Sequence, residues 1–106
     1  MRLLLASYAL LMVMIAAAVA AELSDARKTE LTYLVRQDCG SCHGMTLKGG
    51  LGSALTSDRL AGEDTAALAA IILHGIPGKP MPPWSGLLRE NEAWWIAQAL
   101  QKGQIK

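Results

Sequence analysis

Cys39-Gly40-Ser41-Cys42-His43 is the most informative stretch of this 106-residue chain. Two cysteines separated by two residues, with a histidine directly after them, form the C-x-x-C-H pattern of covalent haem attachment. Cysteines one helical turn apart point their sulfurs to the same side, where both can bond to the vinyl groups of one porphyrin. The histidine then lies over the ring, within reach of iron. The stretch therefore predicts one haem c, attached through Cys39 and Cys42, with His43 as an iron ligand.

Three other kinds of site also use paired cysteines: a thioredoxin-like redox pair, a simple disulfide in an oxidising compartment and a zinc site. A thioredoxin-like pair should follow a strand and open a helix, whereas this pair follows a helical pattern. Zinc would need two more ligands at suitable spacing, and His74 alone does not provide them. We therefore favour haem attachment over all three.

The first 21 residues have the pattern of a secretory signal peptide. Arg2 supplies a positive charge, residues 3–19 are almost wholly apolar, and Ala18-Val19-Ala20 offers small residues at the spacing of a cleavage site. An uncut membrane anchor is the alternative, because the apolar run approaches the length that spans a bilayer. We expect cleavage, which leaves residues 22–106 as one exported domain that is not stably inserted in the membrane.

The composition of residues 22–106 narrows the function classes. Nine basic and nine acidic residues remain after cleavage, so nothing suggests nucleic acid, which calls for a basic patch. The remaining chain has no Phe, and its two cysteines lie too close together to staple distant segments. A domain of this size has a thin stability margin. A large cofactor at its centre would supply the missing packing.

The spacing of apolar residues predicts an all-α fold with three main helices and long loops. The predicted helices are residues 25–37, 65–74 and 90–102, with a short helical turn at 57–60. Ser24 or Asp25 can cap the first helix, and Asp64 or Thr65 the second, which Gly75 terminates. The second helix has no polar residue from 66 to 73, so we expect it to be buried on most sides.

Two long segments between these helices read as loops. Residues 44–53 are rich in glycine and serine, and residues 76–84 hold all four prolines of the chain. Loops of this length are uncommon in so small a domain unless they serve a function. Wrapping around a prosthetic group would account for them.

The sixth position on iron has three candidate ligands in residues 22–106. Met81 is flanked by prolines, which hold a weakly binding thioether in place, and a His–Met pair raises the reduction potential. Met45 follows His43 too closely to reach the opposite face of the ring easily. His74 would give a bis-histidine iron, but a histidine at a helix C-terminus more often interacts with free carbonyls. We predict that Met81 is the ligand.

The order of these features resembles class I cytochromes c across all of residues 22–106. The stretches 33–52 (YLVRQDCGSCHGMTLKGGLG) and 80–84 (PMPPW) are similar to a narrower group, the NirC-type cytochromes encoded beside the dihaem nitrite reductase of denitrifying bacteria. The resemblance implies the class I cytochrome c fold and a periplasmic electron carrier. Its implied partners are that nitrite reductase and an upstream donor, and a role in maturing the enzyme's special haem is the alternative.

One position departs from the family pattern. Many class I members have proline after the glycine that precedes the buried helices, and the carbonyl of that proline holds the proximal imidazole. Here Ser53 follows Gly52. Its carbonyl can accept the same hydrogen bond from His43, on a less rigid backbone.

The sequence predicts one-electron transfer rather than enzymatic catalysis. No residue stands out for acid–base or nucleophilic work, and there is neither a second haem motif nor a second domain to form a substrate pocket. The alternative from the sensor and enzyme class is a five-coordinate haem that binds a small ligand. That alternative requires Met81 to be absent from iron.

Overall fold

The computed structural model describes residues 22–106, so the signal peptide predicted for residues 1–21 lies outside the described range. The helical segments are α1 (Asp25–Leu34), a π-helical turn (Val35–Cys39), α2 (Gly40–His43), α3 (Ser57–Leu60), α4 (Thr65–His74) and α5 (Glu90–Gln101). Residues 22–106 contain no strand, which confirms the all-α prediction. In this range no helix has the length and apolar character needed to cross a membrane.

The predicted ends of the helices agree closely with the structure. Ser24 caps α1, because its hydroxyl accepts a hydrogen bond of 3.1 Å from the backbone N–H of Arg27. Asp64 caps α4 through a 2.9 Å bond from the N–H of Ala66. Gly75 ends α4 with a φ of 67°. The last helix ends at Gln101, one residue before the predicted end.

The first helix departs from the prediction, because it does not stop near Gln37. One π-helical turn follows α1. In this turn the N–H of Gly40 donates to the carbonyl of Val35, five residues earlier, whereas in an α-helix it would donate to the carbonyl of Arg36, four residues earlier. The chain then continues through α2 to His43 without a break. Such π turns are rare and often lie at functional sites. This one widens the helix directly before and at the first cysteine.

The core lies between α1 and the two long C-terminal helices. Leu31 and Val35 are fully buried, and they pack with the predicted apolar face of α5. That face consists of Ala93, Ile96, Ala97 and Leu100, all at most 4% exposed. Its spacing of three and four residues buries one side of a helix continuously, as the sequence predicted.

The second main helix is less buried than predicted. Only Ala69 and Leu73 of α4 are buried, whereas Ile71 is 38% exposed. The helix packs with one side against α5, and its other side includes apolar residues that the described chain does not cover. An apolar run marks burial on all sides only when other elements surround the helix, and a domain this small has too few of them.

An ion pair joins the two ends of the described chain. The Arg27 guanidinium on α1 donates to the Glu92 carboxylate on α5, and Glu92 is only 5% exposed. The second oxygen of that carboxylate accepts a 2.9 Å hydrogen bond from the N–H of Arg89 at the start of α5. One carboxylate therefore both caps a helix and binds the facing helix.

Replacing Glu92 with glutamine is expected to lower the free energy of unfolding by about 1–2 kcal/mol, because a half-buried guanidinium loses its charged partner. Chemical denaturation measures this loss. Glu30→Gln is the matched control, since Glu30 binds the same guanidinium at 2.8 Å but is 65% exposed. A cost below about 0.5 kcal/mol is expected there. Equal costs at the two positions would contradict a special role for Glu92.

The same ion pair predicts a pH dependence of stability. Hydrogen bonding from Arg27 holds the pKa of Glu92 below its usual value of 4.5. The contribution of Glu92 to stability is therefore complete above pH 4.5 and is lost as the pH falls through the lower pKa of the folded state. When the free energy of unfolding is plotted against pH, the values for the wild type and Glu92→Gln should converge in that acid range. Parallel curves down to the lowest pH would contradict the assignment.

Candidate haem site

The C-x-x-C-H motif lies entirely within the helical segment that continues from α1. Cys39 is the last residue of the π turn, and Cys42 and His43 end α2. Both cysteines are free thiols, and Cys39 is half-buried whereas Cys42 is exposed. A thioredoxin-like pair would follow a strand, but this pair follows a helix, as the sequence predicted.

The two thiols differ in their surroundings. Burial, and secondly the negative charge of Asp38, raise the pKa of the Cys39 thiol to about 11. Cys39 therefore stays uncharged at neutral pH, in an environment that suits an apolar thioether rather than a thiolate.

The imidazole of His43 is held by the loop after the motif. Its Nδ1 lies 2.6 Å from the backbone carbonyl of Ser53. A carbonyl can only accept, so Nδ1 is the donor, and in the neutral imidazole this tautomer has its lone pair on Nε2. Metal-binding histidines are commonly oriented in this way by a hydrogen bond from their other nitrogen. The bond expected at Ser53 is therefore present, although serine replaces proline.

Glycines bring this loop into close contact with the motif. The N–H of Gly52 donates to the carbonyl of Cys42 at 2.9 Å, and the N–H of Gly49 donates to the carbonyl of His43 at 2.8 Å. A Cβ atom on Gly52 would lie 2.7 Å from the imidazole ring of His43. Side chains are thus excluded where the loop passes the ring. The buried side chain of Leu47 anchors the same loop to the core.

Met81 lies on a different segment, the proline-rich loop between α4 and α5. Its side chain is half-buried, and its carbonyl accepts a 3.2 Å hydrogen bond from the N–H of Ile76. The two other candidate ligands are more exposed. Met45 is 59% exposed in the loop after His43, and His74 is the exposed last residue of α4.

Sequence reasoning missed two glycine contacts of this site. Gly52 was predicted only as part of the glycine- and serine-rich loop at residues 44–53, and Gly75 only as a helix terminator. The structure places Gly52 against the His43 ring and Gly75 against the backbone of Met81 and Pro82. The sequence did contain a signal for Gly52, because it directly precedes Ser53, whose carbonyl was expected to bind His43. No sequence signal marked the second contact, because it depends on how the loop folds back.

These features fit a covalently bound haem. Two free thiols one helical turn apart precede an imidazole whose Nε2 is free to bind a metal, and the helix that carries them belongs to an all-α fold. Fold and site together define a c-type cytochrome.

Comparison with known proteins identifies the family. A family profile described as cytochrome C oxidase, cbb3-type, subunit III matches residues 26–98. Cytochrome c55X of Paracoccus denitrificans is 52% identical over 103 residues, covering 96% of this chain and all of that protein. Cytochrome c55X of Pseudomonas aeruginosa is 51% identical over 79 residues, covering 74% of this chain and 66% of that protein. The chain therefore belongs to the cytochrome c family, in the group of cytochrome c55X and NirC.

Solved structures similar to this one include a c-type cytochrome and a dehydrogenase. The c-type cytochrome NirC matches with a TM-score of 0.76 and 47% identity, covering 78% of this chain and 98% of that chain. Dihydro-heme d1 dehydrogenase NirN, in complex with DHE, matches with a TM-score of 0.59 and 33% identity. The second match covers 65% of this chain but only 15% of NirN, so the likeness extends to one part of that larger protein. The NirC match confirms the expected class I cytochrome c fold.

Proposed function

We propose that this chain is a periplasmic one-electron carrier that binds one haem c through thioether bonds to Cys39 and Cys42. His43 and Met81 are its proposed axial ligands, and residues 1–21 its cleaved export signal. The hydrogen bond between Nδ1 of His43 and the carbonyl of Ser53 carries the proposal, because it leaves Nε2 free to bind a metal. No acid–base or nucleophilic residue is required.

Electron transfer is favoured when the protein holds the axial ligands of the iron in fixed positions. A bound haem supplies an iron that changes between the ferric and ferrous states. The Ser53 carbonyl and Gly52 restrain the imidazole of His43 on one side. On the other, prolines before and after Met81 restrict the backbone that carries the thioether. Ligands held in this way need little rearrangement when the charge on iron changes.

The proposed partners are a periplasmic nitrite reductase and an upstream electron donor. The likeness to NirC and to cytochrome c55X supports this placement in denitrification. A kinetic test mixes the reduced holoprotein with purified dihaem nitrite reductase from the same source. Oxidation that is fast and saturable supports the partnership, and oxidation no faster than by an unrelated haem protein contradicts it.

An optical and redox titration of the purified holoprotein tests the central proposal. Mass spectrometry should find one haem added to a chain that lacks the first residues, and fractionation should find it in the periplasm. The ferric protein should show the near-infrared charge-transfer band of a methionine–iron bond. A missing band together with binding of carbon monoxide by the ferrous protein would favour the five-coordinate, ligand-binding alternative.

A role in the maturation of haem d1 is the second candidate function. The likeness to part of NirN, a dihydro-heme d1 dehydrogenase, favours it, because a dehydrogenase needs an electron acceptor. Deleting the gene separates the two roles. Nitrite reductase that contains all its haem but turns over slowly in cells indicates a carrier, whereas enzyme that lacks its special haem indicates a maturation factor.

A further inference from the structure

The residue that ends α4 is in direct contact with the backbone of the Met81 segment. Gly75 has a φ of 67° and a ψ of −169°, a region that essentially only glycine adopts. A Cβ atom at this position would lie 2.6 Å from the Met81 carbonyl oxygen and 2.8 Å from the Pro82 carbonyl carbon. Both are main-chain atoms, so neither can swing aside as a flexible side chain would. The segment reaches this position only because residue 75 has no side chain.

Hydrogen bonds attach both ends of the same segment to the end of α4. At the Met81 end of the segment, the N–H of Ile76 donates to the carbonyl of Met81 at 3.2 Å. At the other end, the N–H of Trp84 donates to the carbonyls of Ile72 and Leu73 at 3.1 Å each. The N–H of Ser85 also donates to the carbonyl of Leu73, at 3.0 Å. The last turn of a helix has free carbonyls, and these bonds satisfy two of them.

Because the segment is rich in proline, these few hydrogen bonds determine its position. Residues 80, 82 and 83 are proline and have no backbone N–H, so the segment offers few donors of its own. Its position relative to α4 is therefore set by the carbonyl of Met81, the donors of Trp84 and Ser85, and the close approach at Gly75.

We propose that Gly75 is a positioning residue for Met81. Its missing side chain lets the loop pack against the end of α4, and this packing sets where the Met81 thioether lies. The inference rests on the proposed function, in which Met81 is an iron ligand. It adds that the strength of the methionine–iron bond is controlled by a glycine six residues earlier in the chain.

The chain offers a closely matched control three residues before Met81. Gly78 has a φ of 76°, and its N-terminal neighbour Pro77 and the bond from Lys79 to Ile76 are typical of a type II turn. Alanine is strained there as well, but a Cβ on Gly78 would meet no atom within 4 Å. Gly103 provides a second control, with a φ of 67° far from this loop in sequence.

The test compares Gly75→Ala, Gly78→Ala and Gly103→Ala in the holoprotein. All three variants should unfold at a lower temperature than the wild type, because each puts alanine at a positive φ. Only Gly75→Ala should lose the near-infrared methionine–iron band, with a potential shifted more than half of the way toward that of Met81→Ala. If Gly75→Ala keeps the band and the potential of Gly78→Ala, the inference is wrong.

A second variant covers the case in which Gly75→Ala does not accumulate. Ser85→Pro removes the donor to Leu73, and proline suits this position because the N–H of Leu87 bonds to the carbonyl of Trp84. On heating, the band of Ser85→Pro should disappear well before global unfolding. Loss of the band only on global unfolding, as in Gly78→Ala, would overturn the inference. An unchanged potential in Met81→Ala would instead overturn the ligand assignment of the proposed function.

Discussion

Gly52→Ala is expected to displace the imidazole of His43 and to destabilise the holoprotein by about 1–3 kcal/mol, the usual cost of overpacking. The added methyl group would lie 2.7 Å from two atoms of the ring, well inside van der Waals contact. The ring cannot move without loosening the 2.6 Å hydrogen bond from Nδ1 to the Ser53 carbonyl. We therefore expect both lower stability and a weakened bond between His43 and iron, measured by denaturant unfolding and by the optical spectrum.

Gly86→Ala is the matched control for this substitution. A Cβ on Gly86 would have no atom within 4 Å, and neither Gly86 nor Gly52 has a positive φ. Backbone strain is therefore not the reason for the difference between them. Gly86→Ala should change the free energy of unfolding by at most about 0.5 kcal/mol, as is usual for exposed positions. If the two variants are equally stable and have the same spectrum, close packing of the loop on the ring does not orient His43.

Local features of the fold were predictable from sequence. Asp64 and Gly75 mark the ends of α4 because capping and termination depend on residues within one turn of the helix end. The buried face of α5 follows from the spacing of Ala93 and Ile96 with their neighbours. The motif around His43 is just as local, since five consecutive residues carry its chemistry.

Features that depend on distant segments were not predictable. Arg27 and Glu92 are 65 residues apart, and neither stands out among the charged residues of its own helix. The π turn at Val35–Cys39 changes the register of a helix whose apolar spacing gave no sign of it. The exposure of Ile71 likewise depends on what lies beside α4 and not on the apolar run itself. Such contacts are set by packing, which a single sequence does not display.

Met81→Ala is expected to lower the reduction potential while the haem stays attached. The thioether of methionine favours ferrous over ferric iron, so its loss stabilises the oxidised state. Axial ligands shift haem potentials over a range of about 0.8 V, and we expect a fall on the order of 0.1 V or more. Attachment should survive because Cys39 and Cys42 are unchanged. Potentiometry and mass spectrometry measure the two properties on the same sample.

Two further variants decide between the candidate ligands. Met45→Ala removes a methionine that is 59% exposed and only two residues from His43, and it should leave the potential and the near-infrared band unchanged. His74→Ala should do the same, unless iron is held by two histidines. A rise in potential with His74→Ala, and no change with Met81→Ala, would establish the bis-histidine alternative, because a second imidazole favours ferric iron. The proline-rich loop would then need another explanation. A rigid backbone around residue 81 helps a weakly binding thioether to stay on iron, whereas an imidazole binds iron strongly without such support.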